Sequence, residues 1–208
     1  VLDEPTSFLD IRYQLELLQT LRMLAKTRGI AVIMSLHELD LAQKISDVVV
    51  CVKGEHIAHY GTPREIFRRE LIEPLYDLTN GSYNPMFGSV EMARPQGKPR
   101  LFVIGGGGAG IEAYRALQQK DMPFICGILH ENDLDYPVAS VLSSELIVEK
   151  PFSQIRQETY QRALERLASC DTVFNCLERY GEMNEKNRNL LQAAKVLGIR
   201  IIHSVNEL

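Results

Sequence analysis

The strongest constraint on the fold is the alternation of short apolar runs with helical segments after residue 100. Five apolar runs occur in the order LFVIG, PFICGIL, ELIVE, DTVFN and IRIIH, and four segments predicted to be helical separate them. Continuously apolar strands joined by helical crossovers are typical of a parallel sheet that helices cover on both faces. Residues 100–208 are therefore predicted to form a doubly wound, Rossmann-like α/β domain.

A second, shorter alternation occupies residues 1–79. Apolar residues recur every three to four positions between Ile11 and Arg28, ahead of Gly29, and this spacing predicts an amphipathic helix. The run IAVIMSL at residues 30–36 is continuously apolar, which predicts a buried strand. The other predicted elements are a short helix at 38–45, a β-hairpin at 48–61 and helical segments at 64–67 and on to 78.

Residues 80–99 differ from both flanking regions. They contain NGSYNP and ARPQGKP and have no sustained hydrophobic period, which is typical of a linker. The predicted organisation is one domain at 1–79, a linker at 80–99 and a second domain at 100–208. Because Val1 lies inside an apolar run, we also expect the chain to be a fragment of a longer protein.

Composition narrows the function only slightly. Lys and Arg number 23 against 27 Asp and Glu, so a net charge of −4 gives no electrostatic reason to expect a nucleic-acid partner. The four cysteines have no CxxC spacing and are predicted to be core thiols of a reducing cytosol. No apolar run approaches the roughly 18 residues that span a bilayer, and the chain is predicted to be soluble.

Two adjacent carboxylates, Asp3 and Glu4, follow the first apolar run. Neighbouring acids at the tip of a buried strand are costly unless a cation or a polarised water needs them. Ligands of parallel sheets lie outside the carboxyl ends of the strands, where these side chains would point. We therefore predict that Asp3 holds Mg²⁺ through water and that Glu4 orients and deprotonates an attacking water.

The longer string LDEPTSFLD resembles the Walker B strand and D-loop of ATP-binding-cassette (ABC) ATPases. SLHELDLA resembles the switch-histidine loop (H-loop) of that family, and residues 46–67 resemble its closing hairpin and helix. The resemblance covers residues 1–67 in the family's order. It implies that residues 1–79 are part of a P-loop NTPase lobe that binds ATP and Mg²⁺.

The same resemblance implies roles for individual residues. Asp3 would bind Mg²⁺ through water, and Glu4 and His37 would serve ATP hydrolysis. Ser7 and Asp10 would lie in the D-loop at the interface with a second ATPase subunit in a homodimer.

The resemblance also implies a cellular setting. SFLDIRYQLELL and SLHELDLA are most similar to the ATPases of ferric-siderophore, haem and cobalamin importers. Such a protein would be cytoplasmic and peripheral to the inner face of the cell membrane, held there by a transmembrane permease. The chain departs from the family in lacking a GxxxxGK[ST] phosphate loop, a glutamine loop and an LSGGQ-type signature. The 208 residues alone are therefore predicted not to hydrolyse ATP.

The second domain opens with a glycine-rich motif. Gly105, Gly107 and Gly110 satisfy GxGxxG between a strand and a helix, and Glu131 follows the next strand about 20 residues later, as in dinucleotide-binding folds. Two interpretations stay open. Either the loop binds a dinucleotide, or its glycines only let the first helix pack closely on the sheet while Glu131 is a solvated loop residue.

No catalytic pair accompanies this motif. His130, Asp133 and Asp135 follow the second strand of the domain, and surface-turn chemistry is the simpler explanation for them. The alternative functions are an NAD(P)-binding oxidoreductase and a ligand-sensing regulatory module.

Overall fold

The computed structural model describes all 208 residues as two compact units. The first unit comprises Val1–Thr79 and Tyr83–Val90, and the second comprises Asn80–Ser82 and Glu91–Leu208. Both contain helices and strands, so the predicted α/β class is confirmed. None of the helices has the length and apolarity that crossing a membrane requires.

The first unit is built from four helices and a hairpin. Its elements are α1 (Ile11–Arg28), α2 (Leu39–Ile45), β1 (Val49–Lys53), β2 (His56–Gly61), α3 (Pro63–Ile66) and α4 (Arg69–Leu75). Asp10 caps α1 because its carboxylate accepts a hydrogen bond from the Tyr13 amide at 3.1 Å. Gly29, with a φ of 64°, ends the helix in the left-handed conformation that glycine adopts without strain.

The apolar core of the first unit is small. Strands β1 and β2 pair antiparallel, and α3 and α4 pack near them. The buried apolar residues there are Cys51, Ile66, Phe67, Ile72 and Tyr83. The long helix α1 buries only Leu18. Much apolar surface of this unit therefore remains exposed, including the side chains of Phe8, Ile11, Met23, Val50, Val52, Ile57 and Tyr60.

The strand predicted at residues 30–36 is wrong over most of its length. Its one β-pairing is a parallel bridge between Leu2 and Met34. Ile30 and Ile33 are 49% and 64% exposed. A strand needs neighbouring backbone groups for its amides and carbonyls, and Leu2 alone supplies them here.

A second hairpin lies inside the segment predicted as a linker. Strands β3 (Gly81–Asn84) and β4 (Ser89–Met92) pair with each other. Gly88, with a φ of 63°, permits the turn between them. Strands of four residues with mixed polarity carry no readable hydrophobic period, so the sequence pattern did not reveal them.

The second unit contains the predicted five-stranded parallel sheet. Its strands are β5 (Leu101–Ile104), β6 (Phe124–His130), β7 (Glu145–Glu149), β8 (Thr172–Asn175) and β9 (Arg200–Ile202). They lie in the order β7-β6-β5-β8-β9, and each neighbouring pair is parallel. Its helices are α5 (Ile111–Gln119), α6 (Tyr136–Leu142), α7 (Gln157–Ala168), α8 (Glu185–Val196) and a final 3₁₀ turn (Val205–Glu207).

Helices cover both faces of this sheet. Helices α5 and α6 contribute to one apolar cluster with Leu101 and Val103, while α7 and α8 contribute to the other with Phe102 and Ile104. The side chains of β5 alternate between the two clusters because successive residues of a strand face opposite sides. Strand order reverses between β5 and β8, the place where open α/β sheets have a crevice at their carboxyl edge.

A buried carboxylate organises the turn after β7. The Glu149 side chain is fully buried and accepts hydrogen bonds from the amides of Lys150 and Arg156, the Arg156 guanidinium and the Thr159 hydroxyl, at 2.7 to 3.0 Å. Burial by itself would raise the pKa of Glu149, but these donors lower it to about 2. The carboxylate therefore fixes residues 150–156 ahead of α7.

Replacing Glu149 with Gln should lower the free energy of unfolding by about 2 kcal/mol at neutral pH, since charge-assisted hydrogen bonds are lost. Because the folded pKa lies below the ordinary value of 4.5, this contribution is present above pH 4.5 and disappears as the pH falls toward 2. Denaturant unfolding at several pH values measures it. The exposed Glu165→Gln is the matched control, and equal loss in both variants would contradict the role of Glu149.

Hydrogen exchange should begin in the first unit. Its core is small and α1 is mostly exposed, whereas the side chains of β5 are buried on both faces. Amides with few buried apolar neighbours open at lower free energy. Mass-spectrometric exchange should therefore label α1 and β2 well before β5 and β6. Earlier labelling of the central strands would contradict this order.

Candidate active site

The acidic pair lies beside the segment that precedes the histidine. The Leu2 amide donates to the Ile33 carbonyl at 2.8 Å, and the Ser35 amide donates to the Leu2 carbonyl at 3.1 Å. The Ser35 hydroxyl donates to Asp3 Oδ1 at 2.6 Å and accepts from the Glu4 amide at 2.8 Å. Ser35 thus holds both acidic residues at the end of the short parallel pairing.

His37 and Glu4 are in direct contact. His37 Nε2 lies 2.7 Å from Glu4 Oε1, and the Ser7 hydroxyl donates to Glu4 Oε2 at 2.9 Å. The side chains of His37 and Glu4 are 70% and 46% exposed, so their contact faces solvent. Glu4 has a φ of 41°, an uncommon conformation for a non-glycine residue and one found at functional sites. The structure therefore brings together three of the residues that the sequence marked.

This contact changes the proton affinities of both partners. The hydrogen bonds from His37 and Ser7 lower the pKa of Glu4, and the positive charge of His37 acts in the same direction. The hydrogen bond to Glu4 and the negative charge of that carboxylate raise the pKa of His37. The pair therefore favours an ionised glutamate with a protonated imidazole.

Asp10 and Asp3 have different surroundings. The carboxylate of Asp10 is engaged as the N-cap of α1, which fixes the end of the predicted D-loop. Asp3 uses Oδ1 for Ser35, and its other oxygen accepts no hydrogen bond from the protein. Carboxylate oxygens are of the ligand type that Mg²⁺ prefers. The roles of Asp3, Glu4, Ser7, Asp10 and His37 in catalysis stay predictions.

A set of polar contacts among Thr6, Gln14 and Glu38 was not predicted from the sequence. Thr6 is fully buried, and its hydroxyl donates to Glu38 Oε2 at 3.1 Å. The Gln14 amide group donates to the Thr6 carbonyl at 3.1 Å. These contacts tie the D-loop to α1 and to the residue after His37. Their members lie far apart in sequence and carry no shared motif.

In the second unit, carboxylates already occupy the amides of the glycine loop, residues 105–110. Asp135 Oδ2 accepts from the amides of Gly106 and Gly110 at 2.5 and 2.9 Å. Asp133 Oδ1 accepts from the Gly107 amide at 2.8 Å. A pyrophosphate bound by this loop would need the same donors. The loop therefore uses its anion-binding groups within the domain.

The glycines also permit close packing. A Cβ atom built on Gly105 or Gly110 would lie 2.0 or 2.3 Å from the Tyr114 hydroxyl oxygen. That hydroxyl donates to Asp135 Oδ2 at 3.1 Å. Glu131 is exposed, and its side chain makes no hydrogen bond. This geometry favours the packing interpretation of the motif over dinucleotide binding.

The expectation that Asp135 belongs to surface-turn chemistry is wrong. Asp135 is fully buried, and burial raises the pKa of its carboxyl while the amides of Gly110 and Gly106 partly offset that effect. The burial of Asp135 follows from the strand order. Strands β5 and β6 are parallel neighbours, so the loops that follow them meet at one edge of the sheet. His130 bonds elsewhere, to the Ser153 carbonyl at 2.8 Å.

The cysteines form no disulfide. Cys51, Cys126 and Cys170 are buried. Burial raises the pKa of Cys170 to about 11 and that of Cys176 to about 12. Thiols that stay protonated are poor nucleophiles, so neither Cys170 nor Cys176 is expected to be reactive.

Comparison with known proteins identifies the class. The ABC transporter ATP-binding protein MJ0873 of Methanocaldococcus jannaschii is 37% identical over 130 residues, 62% of this chain and 45% of that relative. The hemin import ATP-binding protein HmuV of Rhodopseudomonas palustris is 46% identical over 78 residues, 38% of this chain and 29% of that relative. The resemblance to ABC ATP-binding proteins is thereby confirmed.

Further relatives support this finding. The cobalamin import ATP-binding protein BtuD of Halobacterium salinarum is 26% identical over 181 residues, 83% of this chain and 46% of that relative. Other relatives are named for import of petrobactin and achromobactin. The chain spans less than half the length of the ABC relatives it matches.

The C-terminal part has a family of its own. Residues 124–207 match the MJ0874 family. The protein MJ0874 of Methanocaldococcus jannaschii is 38% identical over 81 residues, 39% of this chain and 87% of that relative. The chain therefore belongs, through this part, to the MJ0874 family.

The contact between His37 and Glu4 can be tested by NMR titration of the imidazole. His37 should titrate above its ordinary pKa of 6.5, and Glu4→Gln should move the pKa back toward that value. The ion pair is present between the lowered pKa of Glu4 and the raised pKa of His37, and it is lost as the pH rises through the pKa of His37. Glu16→Gln is the matched control, and an unchanged His37 titration in Glu4→Gln would refute the pairing.

Proposed function

We propose that the first unit is the hydrolysis part of the ATP-binding subunit of an ABC importer. The observation that carries this proposal is the 2.7 Å contact of His37 Nε2 with Glu4 Oε1, one residue beyond Asp3. Glu4 would take a proton from the attacking water, and His37 would orient Glu4 and approach the terminal phosphate. Asp3 would hold Mg²⁺ through water.

Each side chain has one step to perform. When bound, Mg²⁺ would neutralise charge on the phosphates. The Ser7 hydroxyl and the His37 imidazole fix the two oxygens of Glu4, so its orientation is set before substrate arrives. The lowered pKa of Glu4 keeps its carboxylate ionised at neutral pH. Asp10 anchors the D-loop, where a second subunit would dock.

The proposed cargo class follows from the relatives. Those named for their cargo import hemin, cobalamin or an iron-chelating siderophore, and we extend this class to the present protein. Its partners would be a second ATP-binding subunit in a homodimer and a transmembrane permease at the inner face of the membrane. ATP binding also requires a phosphate loop and a signature motif, and the 208 residues contain neither.

The exposed apolar surface of the first unit supports the same proposal. Phe8 lies in the D-loop and Ile11 directly follows it, and Val50, Val52 and Ile57 lie on the open face of the hairpin β1–β2. Exposed apolar side chains on one face of a hairpin are typical of a docking face. The phosphate-loop half of an ATP-binding cassette is the occupant that we propose. Without it, the chain should not hydrolyse ATP.

An NAD(P)-dependent oxidoreductase is not favoured. The amides of Gly106, Gly107 and Gly110 donate to protein carboxylates, which would repel a pyrophosphate. The second unit is better interpreted as an accessory domain of the ATP-binding subunit.

Glu4→Gln tests the catalytic proposal in a full-length ATP-binding subunit that carries these residues together with its phosphate loop. Loss of the base should lower ATP turnover by about 10²- to 10⁴-fold, because general-base catalysis contributes that factor. Binding of ATP should persist, since the glutamate does not hold the phosphates. Steady-state phosphate release and ATP binding measure the two effects. Glu16→Gln is the control, and near-normal turnover in Glu4→Gln would refute the assignment.

A further inference from the structure

The family boundary cuts the sheet of the second unit at an unexpected place. The MJ0874 match begins at residue 124, the first residue of β6, and runs to residue 207. It contains β6, β7, β8 and β9 but neither β5 nor α5. Yet β5 lies at the centre of the sheet, hydrogen-bonded to β6 on one side and to β8 on the other. The matched part alone would therefore lack its central strand.

The relative MJ0874 is too short to supply this strand in the same way. The 81 aligned residues are 87% of it, which leaves about 12 residues outside the alignment. Strand β5, the glycine loop and α5 together occupy residues 101–119 of the present chain, which is longer. The same organism has a separate ABC ATP-binding relative, whose 130 aligned residues exceed the 85 residues from 124 onward. That alignment must include residues before β6.

Polar contacts cross the family boundary in a specific pattern. The acceptors, Asp133 and Asp135, lie inside the matched part. The donors, the amides of Gly106, Gly107 and Gly110, lie outside it. The Tyr114 hydroxyl, also outside, donates to Asp135 as well. Four hydrogen bonds to two acids thus connect the segment 101–119 to the matched residues 124–207.

Apolar contacts cross the same boundary. Phe102, Val103 and Ile104 are fully buried between the two layers of helices. The Tyr114 ring stacks on Phe124 with centroids 5.6 Å apart. Such a surface is complementary in shape and in hydrogen bonding, as a stable protein interface must be.

We propose that residues 124–207 form a strand-accepting module whose slot between β6 and β8 is an interaction surface. Its partner is a strand, glycine loop and helix of the kind that residues 101–119 provide, and in this chain that segment fills the slot from the same polypeptide. Non-covalent contacts hold the segment, so the peptide connection at 120–123 is dispensable for the association. This inference does not depend on ATP hydrolysis by the first unit.

The test cuts the full chain at this connection. A specific protease site is inserted after Asp121, an exposed residue between α5 and β6. After cleavage, the two fragments should elute together at the mass of the intact chain, 23.6 kDa, and separate only in denaturant. Dilution from denaturant should restore the joint species. Separation or precipitation of the fragments under native conditions would overturn the proposal.

Variants then test the carboxylate contacts. In the cut chain, Asp135→Ala should weaken association by about tenfold or more, because the buried donors of Gly110 and Tyr114 and the half-buried amide of Gly106 lose their acceptor. Asp135→Asn keeps an oxygen at this place and should retain most of the affinity. The exposed Glu131→Ala is the matched control and should have no effect.

Two measurements guard against simple unfolding. The uncut Asp135→Ala chain should keep its helical circular dichroism, since the peptide connection raises the effective concentration of the segment. If it does not, Asp133→Ala, which removes the acceptor shared by the Gly107 and Asp135 amides, should give a smaller loss of association, because only the Gly107 contact crosses the boundary. Fragments of both alanine variants that associate as tightly as the unchanged chain would refute the role of these acids.

Discussion

The second unit depends on one buried acid. Asp135 accepts from two glycine amides and a tyrosine hydroxyl, and each donor would cost about 1–3 kcal/mol if it were buried without a partner. The glycines at 105 and 110 are required because the Tyr114 ring and the carboxylate occupy the space of a Cβ atom. Burial of each large side chain of β5 adds about 1.5–3 kcal/mol. The acid thus fixes the loop from which the central strand and its helix diverge.

In the first unit, polar contacts rather than apolar burial hold the candidate site together. Its candidate site is assembled by short polar contacts among Asp3, Glu4, Ser35 and His37, although the apolar core beneath is small. These residues lie near one another because Leu2 pairs with the segment before the histidine. The geometry of the candidate site therefore depends little on burial, since its contacts are local to two neighbouring backbone segments.

Sequence reasoning succeeded where a pattern had one physical cause. Continuous apolarity at 101–104 and 124–129, bounded by glycine and proline, favours strands that are buried on both faces, so the parallel sheet was predictable. The proximity of Glu4 and His37 agrees with the resemblance to ABC ATPases, which implied that both residues serve one reaction. The strand predicted around Ile30 and Ile33 was wrong because an apolar run forms a strand only where neighbouring strands supply hydrogen-bond partners. The prediction of a surface-turn role for Asp135 was wrong because an acid that follows a strand is typical of a loop. Its burial becomes predictable only when the pairing of β5 with β6 is known.

The order of the strands along the chain has a mechanical consequence. The segment that joins the first unit to the second enters the sheet at β5, which is its first strand in sequence and its central strand in space. A force or displacement that arrives through residue 100 therefore loads a strand that is hydrogen-bonded on both sides, where the bonds resist together. Entry through an edge strand would load one ladder only. The 181 residues aligned with the Halobacterium relative exceed either unit, so that relative shares sequence with both. A connection through the centre of the sheet makes the MJ0874-type part an integral component of the second unit, because removing it would separate strands that share one core.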